Sequence, residues 1–344
     1  MSSMELNSFL GRWLPRVESE MREYLQTSDE AVAQFYGMMR YHMGWADEQL
    51  APQNYPAGKR LRPMLCLLAC TEKGGDATMA LSAAAAIELL HNFSLIHDDI
   101  EDGDETRRHR PTAWKIWGVP QTINTGDGMY TTAYAAMQRL ARRGISPQMT
   151  LDALQLFTET CLALTEGQYL DMSFEERNDV AVAEYLRMIR GKTAALVGAS
   201  VAIGALLGGA TAQEQSAAYQ FGIACGMAFQ IQDDILGIWG DPAITGKAAG
   251  NDLLRRKKSL PILHTMNHPI VGLAFTALLN SDFTADALPD ALALMARAEA
   301  RAYAEQQVQQ YHSASVEALL MAFGDEAKAS MLWALAEGLL YRQA

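Results

Sequence analysis

The sequence contains few basic residues, and this limits the classes of molecule that the protein is expected to bind. Lys and Arg total 28 of 344 residues against 40 Asp and Glu, so the formal net charge is −12. A protein that binds nucleic acid needs a basic surface, and no nucleic acid is therefore expected as a partner. The same excess of acids disfavours an anionic ligand, unless cations gather locally around it.

Cysteine is equally scarce. The four cysteines lie in apolar, helix-like segments, and the sequence lacks the second Cys/His pair that a zinc site needs. We predict that all four are reduced packing residues. Reduced thiols suit the cytoplasm, which is the predicted location. The four are Cys66, Cys70, Cys161 and Cys225.

Long hydrophobic runs are also missing. Charges are scattered through the first 21 residues, so no secretory signal is expected there. The longest uncharged apolar run covers residues 194–210, and its 17 residues are rich in Ala and Gly. That length is the bottom of the transmembrane range. We predict a closely packed internal helix and no transmembrane segment.

Strand-like alternation and flexible linkers are not evident, whereas helical spacing recurs throughout. Leu65, Leu68 and Ala69 show the spacing of one helix face, and so do Tyr185 and Met188. Gly- and Pro-containing breakers separate such segments. We predict an all-α protein with one large helical domain over residues 1–344.

Acidic residues are abundant, and they cluster. Residues 98–105 contain six carboxylates, preceded by an apolar run and followed by Arg107 and Arg108. On a helix, Asp98 and Asp102 share a face, and like charges at this spacing destabilise the helix. Closely spaced carboxylates suit Mg²⁺, which also shares its coordination with substrate phosphates. The alternative is a solvated acidic helix end, which calls for neither the apolar lead-in nor the arginines.

A second acidic pair, Asp233 and Asp234, lies within another apolar helix-like segment, with Gln230 one turn before Asp234. Unpaired buried carboxylates are costly. We therefore predict that the two aspartate pairs face each other across metal ions. Local cations would then allow an acidic protein to hold an anion.

Taken together, these segments resemble the trans-isoprenyl diphosphate synthases, also called polyprenyl synthetases. The resemblance runs from about Gly58 to Pro261. The matching elements are GKRLRP at 58–63, His91, DDIED at 98–102 with Arg107-Arg108 and Arg110-Pro111-Thr112, GQYLD at 167–171, Lys192-Thr193, and the second aspartate motif with its TGK loop at 233–247.

The resemblance implies a fold and an activity. The fold is a helical bundle of the isoprenoid synthase type with a central active-site cavity, and the protein is expected to be a homodimer. The activity is head-to-tail condensation of isopentenyl diphosphate with an allylic diphosphate, assisted by three Mg²⁺ ions.

The same resemblance assigns roles to residues. The metal ligands would be Asp98, Asp102 and Asp233, with Asp99 and Asp234 ligating or orienting beside them. The leaving diphosphate would be stabilised by Arg107, Lys192 and Lys247, and the metal-free cradle for isopentenyl diphosphate would consist of Lys59, Arg62, His91 and Arg108. Further substrate contacts are expected from Thr193, Gln230 and Lys257, whereas Gln168 and Asp171 either take part or simply join helices through hydrogen bonds.

Two positions depart from the family pattern. Gly237 stands where the second motif usually has a third Asp, one helical turn beyond Asp233. We therefore expect Gly237→Asp to change the Mg²⁺ demand more than the product. Arg256 stands where family members often have Gly.

Product length is expected to depend on Phe93, which lies five residues before Asp98. The growing chain would run back along this helix, and an aromatic ring would act as a floor. Within the family this pattern resembles short-chain synthases, the geranylgeranyl type more than the farnesyl type, and the choice between C15 and C20 stays open. The alternative is that Phe93 only packs between helices.

Two other functions fit part of the pattern. A class I terpene cyclase would use the aspartates and Mg²⁺ but would leave Lys59, Arg62, His91 and Arg108 without a task. A non-catalytic subunit of a prenyl synthase is favoured by Gly237, although such a subunit has no need of a complete first motif.

Overall fold

Helices make up almost all of the regular structure in the described part of the chain. The computed structural model describes residues 3–56, 58–241 and 250–340, so the predicted site residue Lys247 lies outside the described residues. The predicted all-α class is confirmed. The helices are α1 (Ser3–Tyr24), α2 (Ala33–His42), α3 (Leu61–Glu72), α4 (Ala77–Glu101), α5 (Ala113–Trp117), α6 (Val119–Arg142), α7 (Pro147–Phe174), α8 (Val182–Ile189), α9 (Ala195–Leu207), α10 (Ala212–Trp239), α11 (Asn251–Leu254), α12 (Leu260–Met266), α13 (Gly272–Asn280), α14 (Leu288–Arg297), α15 (Ala300–Phe323) and α16 (Met331–Leu340).

Short irregular pieces complete these elements. A π-helical turn at Arg190–Ala194 joins α8 to α9. Two-residue strands, β1 (Thr106–Arg107) and β2 (Arg110–Pro111), form an antiparallel hairpin after α4.

The chain divides into two compact units. The first contains residues 1–159, 200–215 and 329–332, and the second contains residues 160–199, 216–328 and 333–344. The single domain over residues 1–344 stays a prediction.

Helix α4 is the centre of the first unit. It packs against α6, α3 and α1. Every residue from Ala80 to Leu90 is buried, because the alanines let the neighbouring helices approach on all sides. Asp76 begins the helix by accepting a hydrogen bond from the Thr78 amide, at 2.8 Å. The core thus fixes where the opposite, acidic end of α4 lies.

Small residues permit a close helix contact in the same unit. A Cβ atom on Gly204 would lie 2.1 Å from the Cys66 carbonyl oxygen, and one on Gly208 would lie 2.5 Å from the Cys70 carbonyl oxygen. This end of the Ala- and Gly-rich run is therefore closely packed, as predicted. All four cysteines are buried and none forms a disulfide, as expected for residues that pack in the core.

The second unit has its own apolar core. Tyr185 and Ile189 of α8 pack there with Met227 and Ile231 of α10 and with Leu263 of α12. A neighbouring cluster surrounds Phe275 of α13. These contacts hold α8, α10 and α12 together, and they determine the placement of the polar residues that these helices carry.

Two helical stretches in the described residues have the length and hydropathy of a membrane span. They are Ala77–Glu101 and Val182–Leu207, and 72% and 83% of their apolar windows are buried inside the protein. Such burial is typical of core helices. The predicted absence of a transmembrane segment stays a prediction.

The close approach at Gly204 can be tested by substitution. Gly204→Ala should lower the free energy of unfolding by about 1–3 kcal/mol, because its methyl group meets backbone that cannot rotate away. Gly11→Ala is the control, since no atom lies within 4 Å of a Cβ added at Gly11 in α1. The control should stabilise the protein by about 0.5–1 kcal/mol through helix propensity. Urea unfolding measures both, and equal stabilisation by the two variants would contradict the packing.

Candidate active site

The three aspartates of the first acidic motif have different environments at the end of α4. Asp98 is half-buried, and Asp102, which caps the helix, is exposed. Asp99 is buried and accepts a hydrogen bond from Arg107 Nε at 2.6 Å. Asp98 and Asp102 are therefore accessible to a cation, whereas Asp99 positions Arg107.

The Asp99–Arg107 pair is ionised at neutral pH. Burial raises the pKa of Asp99 to about 6, although Arg107 opposes the shift. A carboxyl with this pKa is mostly deprotonated at pH 7. The pair therefore fixes Arg107, in β1, beside the end of α4.

The hairpin that carries Arg108 has strained backbone. Arg108 and His109 form the two-residue turn between β1 and β2, with φ of 52° and 62°. Such turns normally contain Asn or Gly, because positive φ is costly for other residues. Gly58 accommodates the resulting side chain: a Cβ atom there would lie 3.1 Å from Arg108 Nη2. The strain and the glycine together direct the Arg108 guanidinium towards the GKRLRP segment.

Arg60 has a structural role within that segment. It is buried and donates to Glu18 at 2.8 Å and to Glu88 at 2.7 Å. Asn92 also donates to the Glu88 carboxylate, at 3.0 Å. Removing one partner of a buried ion pair leaves an uncompensated charge. Arg60 therefore ties the start of α3 to α1 and α4.

Other cations in this unit have no such partner. Arg62 and Arg108 make no hydrogen bond or ion pair with the described residues, and the Nε atom of Arg62 is buried. Burial and then the charges of Arg62 and Arg108 lower the pKa of the His91 imidazole well below its usual range. Lys59, just before α3, is exposed. This cluster of unpaired donors is suited to an anion.

Aromatic rings continue from Phe93 across to the neighbouring helix. The Phe93 ring lies 4.9 Å from the Tyr130 ring of α6, and Tyr130 lies 5.2 Å from Tyr134. Phe157 of α7 follows at 5.1 Å from Tyr134. Phe93 is therefore the first of several rings, and the contribution from α6 could not be predicted from the sequence.

In the second unit, Lys192 projects from the π-helical turn. Its ammonium lies 2.6 Å from the Asp171 carboxylate. Gly167 makes the approach of α7 possible, since a Cβ atom there would lie 2.2 Å from the backbone nitrogen of Lys192. The predicted GQxxD and Lys-Thr elements therefore meet, and π turns of this kind are frequent at functional sites.

Asp234 is the centre of a buried hydrogen-bond network on α10. It accepts from Tyr185 Oη, from the Leu260 amide at 3.0 Å and from Gln230 at 3.4 Å. Thr193 donates to Gln230 at 2.9 Å. Burial raises the pKa of Asp234 to about 6, so the group is ionised at pH 7 and acts as an acceptor.

The two aspartates of the second motif thus differ, as those of the first do. Asp233 is exposed, whereas Asp234 is buried and lies 3.8 Å from the Lys257 ammonium. Arg256, just before Lys257, has a φ of 52°. This left-handed backbone explains physically why glycine suits that position.

The structure revises the expectation for Gly237. A Cβ atom on Gly237 would lie 2.4 Å from Oδ2 of the buried Asp252, which belongs to α11. The space beside α10 at this turn is therefore filled by a carboxylate from another helix. An acid introduced at position 237 would first meet this steric and electrostatic obstacle.

The described site residues form two sets, one in each unit. Sequence reasoning missed Tyr185 as a partner of Asp234, Asp252 as the neighbour of Gly237, and Tyr130 behind Phe93. Nothing in the local sequence distinguishes these residues from ordinary core or helix residues. The first set contains Lys59, Arg62, His91, Phe93, Asp98, Asp99, Asp102, Arg107 and Arg108, and the second contains Lys192, Thr193, Gln230, Asp233, Asp234 and Lys257.

The family model and the curated relatives that match this chain all describe prenyl diphosphate synthases. The family model described as polyprenyl synthetase matches residues 47–295. The (2E,6E)-farnesyl diphosphate synthase of Mycobacterium tuberculosis H37Rv is 43% identical over 243 residues, which are 71% of this chain and 66% of that protein. The geranylgeranyl diphosphate synthase of the same organism is 41% identical over 75% of this chain and 69% of its own length. The chain thus spans about two thirds of the length of these curated relatives.

Solved structures resemble the chain over nearly its whole length. A polyprenyl synthetase from Streptomyces coelicolor A3(2) superposes with a TM-score of 0.88 and 32% identity, covering 97% of this chain and 99% of that one. A geranylgeranyl pyrophosphate synthetase from Pyrococcus horikoshii Ot3 gives a TM-score of 0.86 and 32% identity over 99% of both chains.

The contact at Gly237 leads to a stability prediction. Gly237→Asp should lower the free energy of unfolding of the metal-free protein by about 1–3 kcal/mol, because it overpacks the space held by Asp252. Adding Asp252→Gly to that variant should restore part of the loss. Urea unfolding measures both effects, and Gly11→Asp serves as the exposed control. An unchanged stability of Gly237→Asp would show that Asp252 leaves this space freely.

Proposed function

This chain belongs to the polyprenyl synthetase family, and we propose that it is a short-chain trans-prenyltransferase. It condenses isopentenyl diphosphate head-to-tail with an allylic diphosphate to give a C15–C20 product, with C20 favoured. The named activities of the farnesyl and geranylgeranyl synthases that it resembles support this class.

One observation carries the proposal. An acidic protein keeps Arg62 and Arg108 unpaired next to a neutral His91, while neighbouring arginines are neutralised by carboxylates. Free guanidinium groups suit a diphosphate, which they bind through paired N–H donors. This cradle belongs to the same unit as Asp98 and Asp102. The arrangement supports binding of isopentenyl diphosphate without a metal.

The residues also fit magnesium. No group of three or more acidic, His or Cys side chains converges as a metal cage within the described ranges. Mg²⁺ commonly takes one or two carboxylates and completes its coordination with water and substrate phosphates, so the accessible Asp98 and Asp102, and Asp233 in the other unit, suit it. Bound Mg²⁺ would neutralise the charge that develops on the departing diphosphate.

The chain's own residues supply the donors that the leaving diphosphate needs besides Mg²⁺. Arg107, fixed by Asp99, is a preorganised diphosphate donor in the first unit, and Lys192, fixed by Asp171, is one in the second. The C–O bond of the allylic diphosphate breaks to give an allylic cation and diphosphate. The double bond of isopentenyl diphosphate attacks this cation, and the released diphosphate takes the proton that leaves the new prenyl chain. Neither unit needs a dedicated protein base for this step.

The two rival functions are less well supported. A class I terpene cyclase has one diphosphate to bind, which leaves the unpaired Arg62 and Arg108 without a role. A non-catalytic subunit does not require Asp234 to be held by three donors. The retained order of both aspartate motifs therefore favours catalysis.

We also propose a homodimer, in the cytoplasm. Leu151, Leu162 and Tyr169 lie on one face of α7, and each is 60% or more exposed. Spacings of 11 and 7 residues keep them on that face. An exposed apolar stripe of this kind typically marks a protein interface, and a second copy offers the same stripe in a two-fold arrangement.

A single incubation tests the reaction class. The protein is mixed with labelled isopentenyl diphosphate, Mg²⁺ and, in separate tubes, dimethylallyl, geranyl or farnesyl diphosphate. Chromatography of the dephosphorylated products should show C15 or C20 alcohols. Cyclic hydrocarbon formed without isopentenyl diphosphate would support the cyclase, and no turnover with any primer would support the subunit.

Within the proposed reaction, the first prediction concerns the metal. Asp102→Ala should lower kcat by at least about a hundredfold, because it removes a ligand that acts on the developing charge. The exposed position predicts an unchanged Tm. Glu101→Ala, its exposed neighbour in sequence, is the control and should keep near wild-type turnover. Wild-type turnover in excess chelator would rule out the metal-assisted mechanism.

The second prediction separates the two substrates. Arg62→Leu should raise KM for isopentenyl diphosphate about tenfold to a hundredfold, the effect of losing a charge-assisted hydrogen bond. KM for the allylic diphosphate should change little. The exposed Arg142 supplies a charge-matched control, Arg142→Leu. Equal increases for both substrates would contradict the separate cradle.

The third prediction concerns product length. Phe93→Ala should lengthen the product, because it removes the first ring along α4, and Phe93→Ala with Tyr130→Ala should lengthen it further. Phe93→Tyr keeps a ring and should give the wild-type length. Chromatography of dephosphorylated products measures all three. An active double variant with wild-type product would place the floor elsewhere.

A further inference from the structure

His42 carries a buried polar atom that the proposed reaction has not used. It is the last residue of α2, and its Nε2 atom is buried without a hydrogen-bond partner among the described residues. Buried polar atoms in folded proteins are nearly always hydrogen-bonded, and an exception calls for an unplaced partner. His42 lies before residue 47, where the family match begins.

The hairpin fixes the position of His42. Arg110 of β2 donates to the Tyr41 carbonyl at 3.1 Å and to the Ala46 carbonyl at 2.8 Å. In return, Tyr41 Oη donates to the Pro111 carbonyl at 2.7 Å. The guanidinium of Arg110 also stacks over the Tyr41 ring, at 3.9 Å. The end of α2 is thus tied to the strands that flank the Arg108 turn.

The four arginines around His42 differ in whether they already have hydrogen-bond or ion-pair partners. Burial and then Arg107, Arg108, Arg60 and Arg110 lower the pKa of its imidazole well below the usual range. Carboxylates neutralise Arg60 and Arg107, and Arg110 is taken by carbonyls. Arg108 alone of the four makes no hydrogen bond or ion pair in the described structure. His42 is therefore a neutral imidazole beside one unpaired guanidinium.

Both side chains line a small recess. Its other walls include Arg107, Asp99 and Thr112, and its volume is about 20 Å³. This volume holds one water molecule. A single phosphoryl oxygen is of similar size. A whole phosphate group does not fit, but one oxygen of a diphosphate held by Arg108 does.

We propose that His42 is a binding residue for isopentenyl diphosphate: its Nε2–H donates a hydrogen bond to a diphosphate oxygen that also contacts Arg108. The inference rests on the proposed function. A neutral donor adds affinity without adding repulsion among the four arginines nearby. His42 would then complement His91, whose pKa is likewise lowered by burial and then by nearby arginines, among them Arg108.

Binding of isopentenyl diphosphate to the metal-free, full-length protein tests the proposal by calorimetry. His42→Leu, which removes the donor, should weaken binding about tenfold or more. His42→Gln, which keeps an N–H at a similar reach, should stay within about threefold of wild type. His109→Asn is the matched control: His109 lies in the adjacent turn but is exposed, and Asn tolerates its left-handed backbone. The control should bind as wild type does.

The outcomes separate the two proposals. Wild-type affinity in a folded His42→Leu variant would overturn the role of His42 while leaving the prenyltransferase in place, and the orphan atom would then hold a structural water. Equal losses in His42→Leu and His42→Gln would also overturn hydrogen-bond donation. No binding of isopentenyl diphosphate by the wild type would overturn both proposals.

A measurement on the wild type covers the case in which the leucine variant does not fold. The protein is labelled with ¹⁵N-histidine, and the His42 signal is assigned by its loss in His42→Gln. Saturation with isopentenyl diphosphate should shift the Nε2 resonance of a neutral His42, whereas the exposed His109 signal should stay. An unmoved His42 resonance at saturation would overturn the proposal.

Discussion

The separation of arginines into neutralised and unpaired groups is the constraint on which the candidate site depends. Glu18 and Glu88 neutralise Arg60, and Asp99 neutralises Arg107. Arg62 and Arg108 have no such partner among the described residues. A protein with a net charge of −12 therefore has local positive potential because its carboxylates are bound to particular guanidinium groups. Burial and these arginines lower the pKa values of His42 and His91, so neither imidazole adds to the positive charge.

Backbone strain occurs at the same places. Arg60, Arg108 and Arg256 all have left-handed backbone, and each begins or borders a segment assigned to diphosphate binding. Such conformations cost about 1–3 kcal/mol per residue and persist where the surrounding structure holds them. The buried ion pairs of Arg60 and the ties between the Arg108 hairpin and α2 supply that support. Stability is thus given up locally to direct charged side chains.

In the second unit, hydrogen bonds and a nearby ammonium stabilise the buried carboxylate of Asp234. Asp234 accepts hydrogen bonds from a tyrosine, a glutamine and a backbone amide. The Lys257 ammonium, then the Leu260 amide and Tyr185, oppose the rise in its pKa that burial causes. The packing around Gly237 is equally dense. The missing third acid of the motif leaves space that Asp252 fills from another helix. The sequence shows only that an acid is missing at position 237. In the structure, the carboxylate of Asp252 lies in its place.

The sequence by itself determined the all-α class, the family and the residues expected to do the chemistry, because helical spacing and closely ordered motifs are local properties of the chain. It also identified Phe93 and the packed Ala- and Gly-rich helix. Only the tertiary structure decided which charges are neutralised, since the pairing of Arg60 with Glu88 joins residues 28 positions apart. The same holds for Tyr185 beside Asp234, Asp252 beside Gly237 and His42 beside Arg108. Each of these contacts depends on how helices pack, and no local pattern encodes it.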